Sequence, residues 1–85
     1  MTVEIRYFAW VRERVGTEAE TLDLPEGTQT VSDLLSWLKN RDERFAHAFE
    51  DMDTIRVALD QEHSEHDQLI GNAREIAIFP PMTGG

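Results

Sequence analysis

The order of apolar patterns along the chain predicts an α+β fold, a four- to five-stranded mixed sheet with one main crossover helix. Three features carry that prediction. The chain begins on strict alternation, with Val3, Ile5, Tyr7 and Ala9 interleaved with Thr2, Glu4, Arg6, Phe8 and Trp10. A period of two, rich in β-branched and aromatic residues, marks a strand. The middle changes period: Val31, Leu34, Leu35 and Leu38 recur at i, i+3, i+4 and i+7, the stripe of an amphipathic helix. The end returns to alternation, Ile76 and Ile78 against Ala77 and Phe79, and stops at Pro80-Pro81, which lack the backbone donors a ladder needs.

Taken in order, the first strand is predicted over about Thr2 to Phe8. Ala9 to Val15 reads as a helical turn closed by Gly16, a residue that accepts the left-handed conformation of a C-terminal cap. A second strand runs from about Glu18 to Leu24, with Leu22 and Leu24 inward and Pro25-Glu26-Gly27 closing it. The first two strands then form a hairpin with a long connection. Thr30-Val31-Ser32-Asp33 resembles an N-terminal capping box, with Asp in place of the usual Glu, and the main helix it opens ends near Asn40. Phe45, Ala48 and Phe49 form a second short apolar turn beneath it. Ile55, Val57 and Leu59 alternate with Arg56 and Ala58 as a third strand, Asp60-Gln61 is a turn, and a short strand is placed near Glu62 to Ser64. The cluster Glu50, Asp51 and Asp53 reads as a solvated loop.

One helix covers one face of such a sheet. The inward set is therefore Val3, Ile5, Tyr7, Leu22, Leu24, Ile55, Val57, Leu59, Ile76 and Ile78. By parity Phe8, Ala77 and Phe79 fall on the open face. A contiguous apolar patch there exceeds what a soluble monomer usually exposes, which makes it a candidate partner surface.

The 85 residues suit one small domain with one core, expected over residues 1–81, followed by a flexible functional tail at 82–85. Seventeen acidic against eight basic residues give a formal charge of −9, which disfavours a nucleic-acid partner and favours a basic protein surface. The absence of Cys removes disulfides, thiol catalysis and thiolate metal sites together. The start lacks the basic and apolar regions of a signal peptide, and no run reaches membrane-spanning length. A soluble, cytoplasmic protein with no membrane partner is expected.

No internal catalytic site emerges. His63 and His66 have a spacing that would suit two metal ligands on a helix, but they sit in a turn-like polar segment with no third ligand evident, so no metal is expected. His47 falls in the apolar turn pattern as a surface or half-buried residue. Neither a Gly-x-Ser-x-Gly nucleophile nor a phosphate-cradling glycine loop is present. The end of the chain differs. Gly84-Gly85 has little structural purpose, because nothing follows that would use it as a cap or turn. Its use lies in being thin enough to enter a narrow enzyme channel and present an α-carboxylate. An α-carboxyl ordinarily titrates near about pH 3.5, so at neutral pH it is ionised: it can attack phosphorus but resists attack itself. Activation as an acyl-adenylate is the natural remedy.

Two segments carry a resemblance. Phe79-Pro80-Pro81-Met82-Thr83-Gly84-Gly85, together with Tyr7-Phe8-Ala9, Arg12-Glu13 and Gly16, resembles the end and start of the small subunits of molybdopterin synthase, within the ubiquitin-like β-grasp proteins. The resemblance implies a sulfur carrier in molybdenum cofactor biosynthesis, with no bound cofactor. Gly85 would be adenylated by a separate ATP-using activating enzyme, converted to a thiocarboxylate by a sulfur donor, and threaded with Met82, Thr83 and Gly84 into the large synthase subunit, whose active site holds a pyranopterin precursor. Phe8, Arg12, Ala77, Phe79, Pro80 and Pro81 would form the interface with that subunit in a heterotetramer, and the chain alone would be inactive. Nearby alternatives are a ubiquitin-like protein modifier and a sulfur carrier for thiazole or tRNA thiolation; the Phe-Pro-Pro spacer favours molybdopterin.

Overall fold

The structure, a computed structural model, describes residues 2–81. Met82, Thr83, Gly84 and Gly85, expected as the tail, lie outside the described residues. The elements run β1 (Thr2–Tyr7), α1 (Ala9–Val15), β2 (Ala19–Asp23), α2 (Val31–Lys39), α3 (Glu43–Ala48), a 3-10 turn at Met52–Thr54, β3 (Arg56–Leu59), β4 (Glu62–Ser64) and β5 (Glu75–Phe79). One five-stranded sheet has the order β2-β1-β5-β3-β4. Its strands β1 and β5 run parallel, and the other neighbours are antiparallel, so the sheet is mixed as predicted.

Alternation in the strands divides the residues between two faces. Val3, Ile5, Tyr7, Val57, Ile76 and Ile78 are buried to within 1% of full enclosure, in one cluster with Val11 and Val15 of α1, Val31, Leu34, Leu35 and Leu38 of α2, and Phe45 and Ala48 of α3. All three helices therefore feed one core. Each begins or ends for an identifiable reason. Gly16 closes α1 at φ 85°, donating its N–H to the Arg12 carbonyl. Thr30 opens α2 with a complete capping box: its hydroxyl accepts from Asp33 N–H at 3.1 Å while the Asp33 carboxylate accepts from Thr30 N–H at 3.0 Å. Asp42 caps α3 by accepting from the N–H groups of Arg44 and Phe45.

Some boundaries move. The first strand stops at Tyr7, and Phe8 becomes the extended N-cap of α1. Ile55 precedes β3 rather than belonging to it, yet is fully buried. Leu22 is only half-buried because β2 is an edge strand. The expected solvated loop at Glu50 to Asp53 contains a 3-10 turn. Asp60 and Gln61 join β3 to β4 with φ of 49° and 73°, the left-handed pair that a tight hairpin demands. The stretch after β4 docks onto the start of α2: Val31 and Ser32 N–H donate to the carbonyls of Gln68 and His66, and Ile70 N–H to that of Gln29. The first donors of α2, which no helix can satisfy internally, are met in this way.

Candidate functional site

The face opposite the helices is uncovered by any element among the described residues. Strand registers fix what stands on it. Tyr7 pairs with Ile78 and Arg56 with Phe79, so Phe8, Phe79 and Arg56 share one end of the sheet. One row further in, Ala77 lies between Arg6 of β1 and Ala58 of β3, with His63 beyond. Phe8 is 44% exposed, while Ala77 and Phe79 are half-buried. All three expected open-face residues stand where parity put them. The apolar patch does not run down the sheet through Ala77, however, because Arg6 crosses that row and its Nε reaches Glu4 and Glu75 at 3.4 and 3.3 Å. It turns outward past the sheet's end.

There Phe8, Ala9, Trp10, Thr54, Phe79, Pro80 and Pro81 line a groove of about 560 Å³. The groove exists because of one backbone feature. Ala9 has φ 53°, a left-handed conformation costly for a residue with a Cβ, and it turns the chain from β1 into α1 within a single residue. Phe8 and Trp10 consequently wall the same groove. Trp10 is the groove residue that sequence reading misses: the helical turn expected over Ala9 to Val15 is present, but nothing in its pattern shows that Trp10 stands beside Phe8 and Phe79. Arg12 is exposed on α1, and Pro80 and Pro81, half-buried, form the root from which residues 82–85 continue.

A partly buried polar contact holds this end of β1 in place. The Tyr7 hydroxyl donates to Glu20 Oε2 at 2.7 Å, and Arg41 binds both Glu20 oxygens at 2.9 and 3.2 Å. Arg41 also lies 4.7 Å over the Phe45 ring, whose edge meets Tyr7 at 6.0 Å between centroids. Burial, and then the Glu20 bond, pushes the Tyr7 hydroxyl well above the ordinary phenol range. Burial alone would raise the Glu20 carboxyl, but hydrogen bonds from Arg41 and Tyr7 outweigh it and hold it below the usual carboxylate range. With Tyr7 pinned on the core side, the next residue, Phe8, is presented on the other.

A second, polar cleft of about 630 Å³ is lined by Asp53, Ile55, Arg56, His63, Ser64, Glu65, His66 and Asp67. Although larger, it offers less chemistry. His66 Nε2 is 2.8 Å from the Ile55 carbonyl and His63 is exposed on β4, and no metal-holding group of His, Cys, Asp and Glu occurs among the described residues. No helix among them is long and apolar enough to cross a membrane.

Strand order, crossover helix and an uncovered sheet face define a ubiquitin-like β-grasp protein. Comparison with known proteins is consistent in kind. Residues 5–85 match the ThiS family. The molybdopterin synthase sulfur carrier subunit of Escherichia coli is 35% identical over 98% of this chain and 99% of its own. A molybdopterin converting factor subunit 1 from Pyrococcus furiosus superposes with a TM-score of 0.74 at 26% identity, covering 96% of this chain and 99% of that one. Small archaeal modifier protein 1 of Haloferax volcanii superposes at 0.71, also 26% identical, over 95% and 98%. The chain belongs to the ThiS family, among the molybdopterin synthase sulfur carrier subunits.

Proposed function

We propose that this chain carries sulfur for molybdopterin synthesis on the α-carboxylate of Gly85, taken as the last residue of the working protein. A separate activating enzyme transfers adenylate from ATP to that carboxylate. A sulfur donor then displaces AMP to leave a thiocarboxylate, and the terminal sulfur attacks the pyranopterin precursor held by the large synthase subunit. Two carriers supply the two sulfurs of a dithiolene. Phe8 and Phe79 anchor the large subunit, Arg12 contributes at the rim, Ala77 lies within the docked face, and Pro80-Pro81 aims Met82 to Gly85 away from the sheet. The assembly is a cytoplasmic heterotetramer, and the carrier alone is inactive.

The observation that carries this reading is the coincidence of two facts. The relatives named as sulfur carriers align over nearly the full chain, and the Pro80-Pro81 root emerges from an apolar groove on the one face the helices leave bare. The match to an archaeal modifier protein favours one alternative, in which activated Gly85 forms an isopeptide bond with a target lysine. Intact mass after incubation with ATP, activating enzyme and a sulfide source separates them: oxygen replaced by sulfur at the terminus supports the carrier, whereas adducts on other proteins support the modifier. Deleting Gly85 and loading the thiocarboxylate on Gly84 retracts the sulfur by about 3.5 Å, and a misplacement of even about 1 Å can cost about a hundredfold in rate. Conversion of precursor at the full rate by that variant would refute the role of the Gly-Gly end.

A further inference from the structure

Three non-glycine residues have positive φ among the described residues, and Ala9 stands apart from the other two. Asp60 and Gln61 form a hairpin turn, where that conformation is ordinary. Ala9, at φ 53°, lies between a strand and a helix and lines the apolar groove. For alanine the left-handed region is about tenfold less favourable than the right-handed one, so something must hold it there. The backbone supplies part of the answer. Phe8 N–H donates to the Ile78 carbonyl at 3.1 Å, continuing the β1–β5 pairing, while the Phe8 carbonyl accepts from Arg12 N–H at 3.2 Å as the first bond of α1. Val11 and Val15 are fully buried and fix α1 on the core. The change of direction from sheet to helix therefore falls on a single residue. Two side-chain contacts brace that joint, one on each side. Before it, Tyr7 donates to Glu20 at 2.7 Å, and Arg41 clamps Glu20 at 2.9 and 3.2 Å. After it, Arg14 lies over the Trp10 ring with its Cζ 4.5 Å from the centroid. None of Tyr7, Glu20, Arg41 and Arg14 is among the groove-lining residues, yet Phe8, Ala9 and Trp10, which are, lie between the two braces.

We propose that Tyr7, Glu20, Arg41 and Arg14 are positioning residues for docking of the large synthase subunit: they hold Ala9 in its strained conformation, and that conformation keeps Phe8 and Trp10 as walls of one groove. The inference rests on the carrier reading above, which supplies the partner. The physical argument is preorganisation. A strained residue persists only where its surroundings over-determine it, and such strain collects where a binding surface must be held in one shape. Were Ala9 to relax to negative φ, α1 would leave β1 at a different angle and Trp10 would move away from Phe8. The partner would then have to restore the groove at the expense of its own binding, and its apparent Kd would rise in inverse proportion to the fraction of carrier still in the docking conformation. The braces thus raise affinity without touching the partner.

The test sets affinity against stability in the full-length carrier. Tyr7→Phe keeps the ring and removes only the hydroxyl. It is expected to weaken binding of the large subunit about threefold, titrated at a temperature where the variant is fully folded, because about two-thirds of the molecules have relaxed at Ala9. Scalar couplings about the N–Cα bond of Ala9 report φ with no partner present and should show that loss of positive φ. Arg14→Ala is expected to weaken binding about twofold by the same route. Ala9→Gly, for which the left-handed conformation carries no penalty, should bind as the parent does. Tyr7→Phe/Ala9→Gly should then recover the parental affinity without regaining the parental melting temperature, a rescue that a merely structural Tyr7 would not give. Parental affinity in Tyr7→Phe, or weak binding that Ala9→Gly fails to rescue, overturns the proposal. Phe79→Ala in the same series separates the two levels of failure. Normal binding by that variant shows that the groove is not the seat, and the interface reading falls with the proposal; weak binding by it beside normal binding by Tyr7→Phe refutes the positioning role alone.

Discussion

Ile78 and Phe79 are neighbours on β5 whose side chains leave opposite faces of the sheet, and shortening each to Ala should produce two different molecules. Ile78 is fully enclosed, in register between Tyr7 of β1 and Val57 of β3. Ile78→Ala removes three buried carbons at about 0.8 kcal/mol each, and the cavity left between two strands raises the loss to about 3 to 4 kcal/mol. In a domain of 85 residues each kcal/mol moves the melting temperature by roughly 4 to 8 °C, so this variant should melt roughly 12 to 30 °C lower. Phe79 lies half-buried against the groove and outside the core cluster. Phe79→Ala should therefore cost under about 1 kcal/mol of stability. As a desolvated anchor it should nevertheless lose about 2 kcal/mol of binding to the large subunit, roughly thirtyfold in Kd. Calorimetric melts and titration of the large subunit measure both quantities on both proteins. A Phe79→Ala protein that melts as low as Ile78→Ala would show that the open face is part of the core, and the division between the faces would be wrong.

Two further outcomes follow from the polar groups. Tyr7→Phe removes the bond to Glu20 and should cost about 1 to 2 kcal/mol at neutral pH. Because the folded chain keeps the Tyr7 proton above the ordinary phenol range, its contribution is present below about pH 10 and is lost as the unfolded phenol ionises beyond it. The Phe variant should thus show a shallower alkaline fall in melting temperature, and an equal fall would contradict the assignment. On the acid side, backbone N–H bonds from Thr30 and Gln29 hold the Asp33 carboxyl low, those from Glu75 and Arg74 do the same for Asp60, and Arg44 does so for Asp42. Glu20 is held low as well. Carboxyls depressed in the folded state stabilise it above their ordinary values and lose that contribution as pH falls through the folded ones. Melting temperature should therefore be nearly flat from about pH 5 to 7 and drop below about pH 4. Glu20→Gln should lower the plateau and soften the drop.

Most of the architecture could be read from residue order because it depends on local periodicity. The alternation at Val3, Ile5 and Tyr7, the stripe Val31, Leu34, Leu35 and Leu38, and the Thr30/Asp33 cap each express a rule acting over a few residues. So does the stop at Pro80-Pro81. The open-face position of Phe8, Ala77 and Phe79 followed for the same reason, since parity within a strand is a local property. Other features depend on contacts between segments distant in sequence. Trp10 joins the groove only because Ala9 adopts a left-handed turn after a strand one residue shorter than alternation implied. Glu20 and Arg41, 21 residues apart, meet at Tyr7 because α3 packs beneath β1. Arg56 flanks Phe79 only through the insertion of β5 between β1 and β3, a pairing that no periodicity encodes. A chain of this size can state its strands and helices in local patterns, but which distant side chains come to stand side by side is settled only when the strands pair and the helices pack.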